Sequence, residues 1–303
     1  MTTTTTAGPV GRSRRKLNWA PVVYLSPILA LFLVFIVFPF ARGIWFSVNE
    51  VSFLGQPLGF VGLDNFVSIV TGLNFGRFAL TSVIWTVGAV TLQLVVGATG
   101  AFLLNQRFRL RGAVRGLAMI PWATPSVLVA LMWLWILEPN NGLLNKVLIS
   151  ARAIDAPVAW LGSSETALAT LILIDAWQGV PFFMVMILAA LQGVPGELIE
   201  SARTDGAGHL GVFRHVVLPA IIPTVLITVV LRLIWTANYI DLTYVLTGGG
   251  PAYATTTLPL ASYLTAYKGG DFGEGAAYAM IQAAVLAVMV VLYIRLTSKG
   301  ERR

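Results

Sequence analysis

Asp175 and Arg232 are the ionisable side chains set inside long apolar stretches of this chain. Charge at bilayer depth is unfavourable by several kcal/mol on most scales, so such groups pair with each other or face water, and they mark solute routes or structural locks. A second concentration of polar residues, Glu197, Glu200, Ser201, Arg203, Thr204 and Asp205, lies between two apolar stretches and carries three carboxylates that a soluble partner could push on. Neither group has the makings of an active centre. The two histidines, His209 and His215, sit in or at the edge of the same polar segment, and no H-E-x-x-H is present. The chain has no cysteine, which removes disulfides and thiolate metal sites, and no G-x-x-x-x-G-K-[ST] phosphate loop through which to hold a nucleotide. Catalytic residues and metal ligands are therefore expected to be absent, and the chemistry on offer is electrostatic contact and recognition.

The elements that position these residues are membrane spans. Of the 303 residues, 57% are hydrophobic and 11% charged, with mean hydropathy +0.81, more apolar surface than a soluble domain covers. A bilayer core needs about 20 apolar residues at ~1.5 Å rise each. Six stretches qualify, 19–41, 78–104, 116–137, 166–194, 216–238 and 276–294, and four of them carry no charge. The first exceeds the roughly 7–15 residues of a secretory signal core and has no small-residue cleavage pattern after it. The expected fold is thus all-α and polytopic: a basic tail over 1–18, a membrane domain over 19–296 and a second basic tail over 297–303. The outer connections, roughly 42–77, 138–165 and 239–275, are long enough for short helices or a docking surface.

Basic residues orient the spans. Arg12, Arg14, Arg15 and Lys16 precede the first, Arg107, Arg109, Arg111 and Arg115 follow the second, Arg203 and Arg214 follow the fourth, and Arg295, Lys299, Arg302 and Arg303 end the chain. Fourteen of the 20 Lys and Arg residues so fall on one side, against Arg42, Arg77, Lys146, Arg152 and Lys268 on the other. The positive-inside rule predicts that both termini and the Glu200 segment are cytoplasmic. The net charge of +7 and pI near 10.0 have the same origin, so nucleic acid is not implied as a partner.

Depth along the spans brings the two buried charges level. Asp175 lies ten residues inward from Glu165, and Arg232 nine residues inward from Asp241 in a span of opposite direction. At ~1.5 Å per residue both sit about 14 Å below the outer surface, which predicts that they face each other or share an aqueous cavity, as a solute pathway or an interhelical lock. Trp177, Gln178, Asn238 and Tyr239, with Trp133, Trp135 and Trp235, are the neighbouring residues able to line a solute route, because polar groups need amide partners and rings stack on aromatic faces; interfacial anchoring is the ordinary role of such tryptophans. Pro27, Pro39, Pro121, Pro125, Pro181 and Pro223 each remove a backbone donor inside a span and predict kinks.

In the polar segment 195–219, Pro195 suits a first helical turn and Glu197 and Glu200 suit a helix N-terminus, which predicts a short helix from about 195 to 204. Gly206 and Gly208 are expected to break it, and the chain restarts at His209 and enters the fifth span through Leu218-Pro219.

Glu200-Ser201-Ala202, three residues, Gly206, nine residues, Val216, one residue, Leu218-Pro219 resembles the cytoplasmic coupling loop of binding-protein-dependent ATP-binding-cassette importers, whose pattern reads E-A-A, three residues, G, nine residues, I, one residue, L-P. Val194-Pro195-Gly196-Glu197-Leu198, Asp205-Gly206-Ala207-Gly208, Phe213 and Pro223 extend the likeness toward the carbohydrate-uptake branch. Phe60-Val61-Gly62-Leu63-Asp64-Asn65-Phe66 and Leu246-Thr247-Gly248-Gly249-Gly250-Pro251 are similar to that branch's outer loops. Ser201 stands where the pattern has alanine and Val216 where it has isoleucine, substitutes of similar size.

The resemblance implies the permease fold of a type I importer in a prokaryotic plasma (inner) membrane, with no cofactor of its own because ATP and Mg belong to a partner ATPase. It implies two cytoplasmic ATPase subunits, a second permease subunit forming a heterodimer, an extracytoplasmic solute-binding protein, and as solute a carbohydrate: a sugar, oligosaccharide, polyol or glycerol phosphate. Glu200 would transmit closure of the ATPase, Gly206 would allow the turn and Ala202 would keep the docking face small, with Glu197, Ser201, Asp205, Gly208, Leu218 and Pro219 completing the coupling element. A self-contained secondary transporter is the alternative class, and an intramembrane enzyme a third; neither accounts for the coupling loop.

Overall fold

The structure is a computed structural model that describes residues 20–300; the N-terminal basic tail over 1–18 and the terminal Arg302 and Arg303 lie outside the described residues. Two units are distinguished, one ending at Gly43 and one running from Ile44.

The first unit holds α1 (Ala20–Phe32), which passes through a π-helical turn (Leu33–Val37) into α2 (Phe38–Ser47), whose residues from Ile44 onward belong to the second unit. Proline explains the extra residue in that turn. Pro39 has no N–H, and its ring crowds the carbonyl four residues back; widening the preceding turn, so that the Phe38 N–H reaches the Leu33 carbonyl, relieves both. The same device recurs in the second unit, where a π turn (Phe213–Val217) precedes Pro219 and the Leu218 N–H bonds to the Phe213 carbonyl.

After the end of α2 the second unit forms a small antiparallel hairpin, β1 (Asn49–Val51) and β2 (Pro57–Phe60), in which Asn49 pairs with Phe60, followed by α3 (Asp64–Thr71). Asn65 Nδ2 donates to the Ser47 and Asn49 carbonyls at 3.1 Å each and ties α3 to the hairpin. An otherwise helical chain therefore carries strand structure in its first long connection, where a loop with short helices was the expectation. Next come α4 (Phe75–Asn105), α5 (Arg111–Ala118), α6 (Ile120–Ala123), α7 (Ser126–Ile136), α8 (Leu143–Ser150) and α9 (Ala167–Gln192). The chain continues through α10 (Gly196–Thr204), α11 (His209–Val212), α12 (Leu218–Ala237), α13 (Asp241–Thr247), α14 (Leu258–Tyr263), a third π turn (Leu264–Lys268) and α15 (Phe272–Gly300).

Among the described residues five helical stretches are long and apolar enough to cross a membrane: Tyr24–Ser47, Phe75–Asn105, Ala167–Gln192, His209–Ala237 and Phe272–Arg295. The third stretch expected from sequence, 116–137, is not a straight helix: Arg111–Ala123 and Ser126–Ile136 meet at 94°. Thr124 takes the extended backbone (φ −80°, ψ 130°) that a following proline favours, so Pro125 ends one half-helix and begins the next.

α4 and α9 pack along each other and α12 lies against both. Near α10 the contact is a cluster around Phe183, Ile187, Ala101 and Ile221; at the other end Trp85, Leu171, Ile174 and Leu242 form a second cluster with Val129 of α7. Between these two apolar clusters the helices carry their polar side chains inward.

Candidate functional site

The buried polar layer is built from one residue on each of three helices. Gln93 of α4 is fully buried; its Nε2 donates to Asp175 Oδ2 at 2.9 Å and to the Asp175 carbonyl at 3.1 Å. Arg232 Nε of α12 donates to Gln93 Oε1 at 2.8 Å, and its Nη2 lies 3.9 Å from Asp175 Oδ2. One amide thus mediates most of the contact between two charges of opposite sign, which lie at the common depth their spacing requires. The layer exists only because position 179 is glycine: a Cβ there would overlap both Arg232 Nη2 and the Gln93 amide.

A cavity of about 180 Å³ opens beside this layer, lined by Trp122, Asp175, Gln178, Arg232, Trp235, Thr236 and Tyr239. Asp175 is 2% exposed and Arg232 9%, so the pair forms a wall rather than a floating charge. Gln178 bridges the cavity's far side: its Nε2 donates to the Thr124 carbonyl at 3.3 Å, and its Oε1 accepts from the Tyr239 hydroxyl at 3.2 Å. Burial pushes the Tyr239 phenol up to about 12, which keeps it a proton donor at neutral pH. The break in the third span is held at this place, since Ser126 Oγ donates to Asp241 Oδ2 at 2.7 Å across it. Trp122 and Trp235 approach Phe182 from two sides, with ring centroids 6.1 and 5.2 Å away. The Thr236 hydroxyl oxygen is buried and without a partner among the described residues. Aromatic faces, a bridging amide, an unpaired hydroxyl and a neutralised ion pair make a lining fitted to a polar, uncharged ring.

Helical rotation sorts the residues expected here. Asp175, Gln178, Arg232 and Tyr239 come together. Trp177 does not: it lies on another face of α9, edge-on to Trp133 at 5.7 Å, beside an apolar groove lined by Leu92, Val96 and Pro181. Asn238 is exposed and belongs to a separate cavity. Trp135 is 81% exposed. Gln93, Gly179, Trp122 and Thr236 are the members that sequence reasoning missed. The signal for Gln93 was present, a lone amide midway along an uncharged 27-residue stretch over 78–104.

The second site is the elbow between α9 and α12. α10 has Glu197 in its first turn and Arg203 in its last, as the helix dipole favours. It ends in a Schellman motif: the Ala207 N–H bonds to the Ala202 carbonyl at 2.9 Å and the Gly206 N–H to the Arg203 carbonyl at 3.0 Å, with Gly206 at φ +87°. Gly208 instead is extended at φ −69°, a conformation open to any residue, so the turn needs one glycine and not two. No residue of α10 is buried. Glu197, Glu200, Ser201 and Asp205 are exposed, as is Pro219, while Ala202 and Leu218 are half-buried. Phe213, where the chain restarts, stacks edge-on against Phe102 of α4 at 5.6 Å and anchors the elbow to the bundle.

Long spans around a small polar cavity, one of them broken at that cavity, with an exposed helical elbow at one end, define a membrane subunit for solute transport. The chain belongs to the family described as binding-protein-dependent transport system inner membrane component, whose model matches residues 93–298. It is 32% identical over 286 residues, 93% of this chain and 96% of the relative, to the trehalose/maltose transport system permease protein MalF of Thermococcus litoralis. The sulfoquinovosyl glycerol transport system permease protein SmoG of Agrobacterium fabrum is 31% identical over 276 residues, 91% of this chain and 89% of that one. Among solved structures, a bacterial ABC transporter that imports the acidic polysaccharide alginate shares the fold, with a TM-score of 0.79 at 22% identity, covering 93% of this chain and 96% of that one. The protein is thus a multi-pass inner-membrane permease of a binding-protein-dependent ABC importer, and ATP hydrolysis resides in a separate chain. Membership excludes the self-contained secondary transporter.

Proposed function

We propose that this permease passes a carbohydrate, or a closely similar polyhydroxylated solute, through the cavity between α9 and α12. The observation that carries the proposal is the lining itself: Trp122, Trp235 and Tyr239 offer ring faces, and Gln178, Thr236 and the Gln93–Asp175–Arg232 layer offer hydrogen-bonding groups without net charge. The transport of trehalose/maltose and of sulfoquinovosyl glycerol by the relatives named above supports the same solute class. Asp175, Gln178, Arg232 and Tyr239 touch the solute in this reading; Trp177 and Asn238 stand outside the cavity.

α10 is the lever. Its acids, with Glu200 foremost, engage a cationic groove of the ATPase, Gly206 sets the angle of the elbow, Ala202 lets the partner approach, and Leu218-Pro219 passes the movement to α12. The distribution of Lys and Arg supports a cytoplasmic position for α10 and both termini. A second, non-identical permease supplies the other half of the pathway above two ATPase copies.

The tagged chain, affinity-purified from native membranes in mild detergent with its co-purifying proteins and reconstituted into proteoliposomes, should take up trehalose, maltose or sulfoquinovosyl glycerol in an ATP-dependent way. Purification without an ATPase, or ATP-driven uptake confined to solutes that lack hydroxyl groups, would refute the reading. Because the chain has no native cysteine, Ser201→Cys reports orientation: an impermeant maleimide should label it from the cytoplasmic side alone.

A further inference from the structure

At the end of the bundle away from α10, four aromatic side chains from four consecutive elements stack into a ladder. Tyr244 of α13 meets Tyr263 of α14 at 5.0 Å between ring centroids, Tyr263 meets Tyr267 of the third π turn at 4.9 Å, and Tyr267 meets Phe272 of α15 at 5.5 Å. Lys268 Nζ lies over the Tyr244 ring at 5.3 Å and caps that end. Packing does not require the ladder, for Tyr267 is 62% exposed. Beside it lies a cavity of about 290 Å³ whose lining includes Asn238, Ser262, Tyr263, Tyr267 and Gln282.

The polar atoms of this cavity are unsatisfied in a particular sense. Gln282 is 5% exposed; its Nε2 donates to the Ala237 carbonyl at 3.2 Å, and its Oε1 accepts from none of the described residues. Asn238 likewise uses its Nδ2 on the Ile234 carbonyl at 2.9 Å and leaves its Oδ1 open. Ser262 gives its proton to the Gly275 carbonyl at 2.7 Å and retains oxygen lone pairs. The pocket therefore presents the oxygens of Asn238, Ser262 and Gln282 and the rings of Tyr263 and Tyr267 among the apolar residues Ile240, Pro259, Ala266 and Ala279, with no carboxylate among the lining residues. An acyl chain would leave the Gln282 Oε1 without a donor, whereas the tyrosine hydroxyls and amide N–H groups beside these oxygens suit a ligand that both donates and accepts. A ring bearing several hydroxyl donors on its edge and C–H groups on its face satisfies both the oxygens and the rings.

We propose that this ladder and cavity form a second saccharide site, separate from the inner cavity and joined to it by the Asn238–Tyr239 step, in which adjacent residues line the two cavities. The ligand class rests on the carbohydrate reading given above; the existence of two sites rests on the geometry. The test is saturation-transfer NMR of trehalose, maltose and sulfoquinovosyl glycerol on the full chain, purified with its partner subunits in nanodiscs. Tyr267→Ala, whose exposed side chain the core does not need, should weaken one of two binding events about 3- to 10-fold, the effect of one aromatic stack. Tyr267→Phe should retain it, Gln282→Leu should lose it, and Gln178→Ala should remove only the other event. Unchanged saccharide contact in Tyr267→Ala, with loss in Gln178→Ala, would overturn the second site and leave the inner route standing. No saccharide contact in the wild type would overturn both readings together. Loss of stimulation by the binding protein in Tyr267→Ala, with saccharide contact intact, would make the ladder a protein contact and overturn the site.

Discussion

Gly179 lies directly beneath Arg232: the guanidinium Nη2 occupies the space that any side chain at 179 would need. The Gln93 amide fills the rest of that space, so a residue with no side chain fixes the distance between α9 and the polar groups of α4 and α12. Gly179→Ala should therefore displace Arg232, break its 2.8 Å bond to Gln93 and lower stability by about 1–3 kcal/mol, as overpacking does. A thermal melt of the purified chain checks this, and an unchanged melting temperature would contradict the packing.

Removing one member of a buried ion pair leaves the other unpaired at a penalty of about 3–5 kcal/mol, so Asp175→Ala and Arg232→Ala should each reduce the folded amount in the membrane. The double variant should restore that amount, since no isolated charge remains, yet should not restore uptake if the pair walls the solute route. Quantitative blotting beside transport assays separates the two roles; full uptake by the double variant would make the pair a structural lock alone.

Gln178→Ala removes both the contact to the Thr124 carbonyl at the break of the third span and the contact to Tyr239. Each neutral hydrogen bond contributes about 1 kcal/mol net, so the apparent KM for solute should rise several-fold with little change in expression. A loss confined to kcat, at constant KM, would place Gln178 away from the solute.

Glu200 is exposed and its carboxylate makes no bond among the described residues; the Thr204 hydroxyl bonds the Glu200 backbone carbonyl, which a side-chain substitution leaves in place. Glu200→Arg should leave insertion and melting temperature unaltered while abolishing uptake and ATPase stimulation. Gly206→Ala differs in kind: at φ +87° an L-residue is strained by about 1–2 kcal/mol, so the elbow angle should shift and coupling fall partially. Normal transport by Glu200→Arg would remove α10 from the coupling role.

What could be read from the sequence followed from length, charge and depth. The common depth of Asp175 and Arg232 came from counting inward along spans of opposite direction, and the structure sets them 3.9 Å apart. Which neighbours join them depends on rotation, which adjacency in sequence hides. At ~100° per residue, position 178 returns to the face of 175, whereas 177 points about 160° away from it, and this sends Trp177 to the apolar groove. The same arithmetic brings Trp235, Thr236 and Tyr239 round to Arg232 and turns Asn238 outward. Gln93 was legible as a lone amide in an uncharged stretch, but its partners were not, and Gly179 gave no signal, because these roles exist only across helix pairs. Each proline inside a span predicts a kink, yet Pro27, Pro181 and Pro223 lie inside continuous helices, and the 94° turn falls at Thr124-Pro125, where Gln178 and Asp241, remote in the chain, bond to Thr124 and Ser126.

The absence of any buried side chain in α10 separates two kinds of selection on this molecule. Ile199 and Ala202 are half-buried, and at the other positions from 196 to 204 the bundle's own stability asks for little beyond helicity and the Gly206 turn, so those side chains are free to follow whatever surface they meet. Exchanging this nine-residue helix between permeases should then redirect which motor drives a given transporter while leaving the choice of cargo untouched, a modular division between power and freight inside one polypeptide.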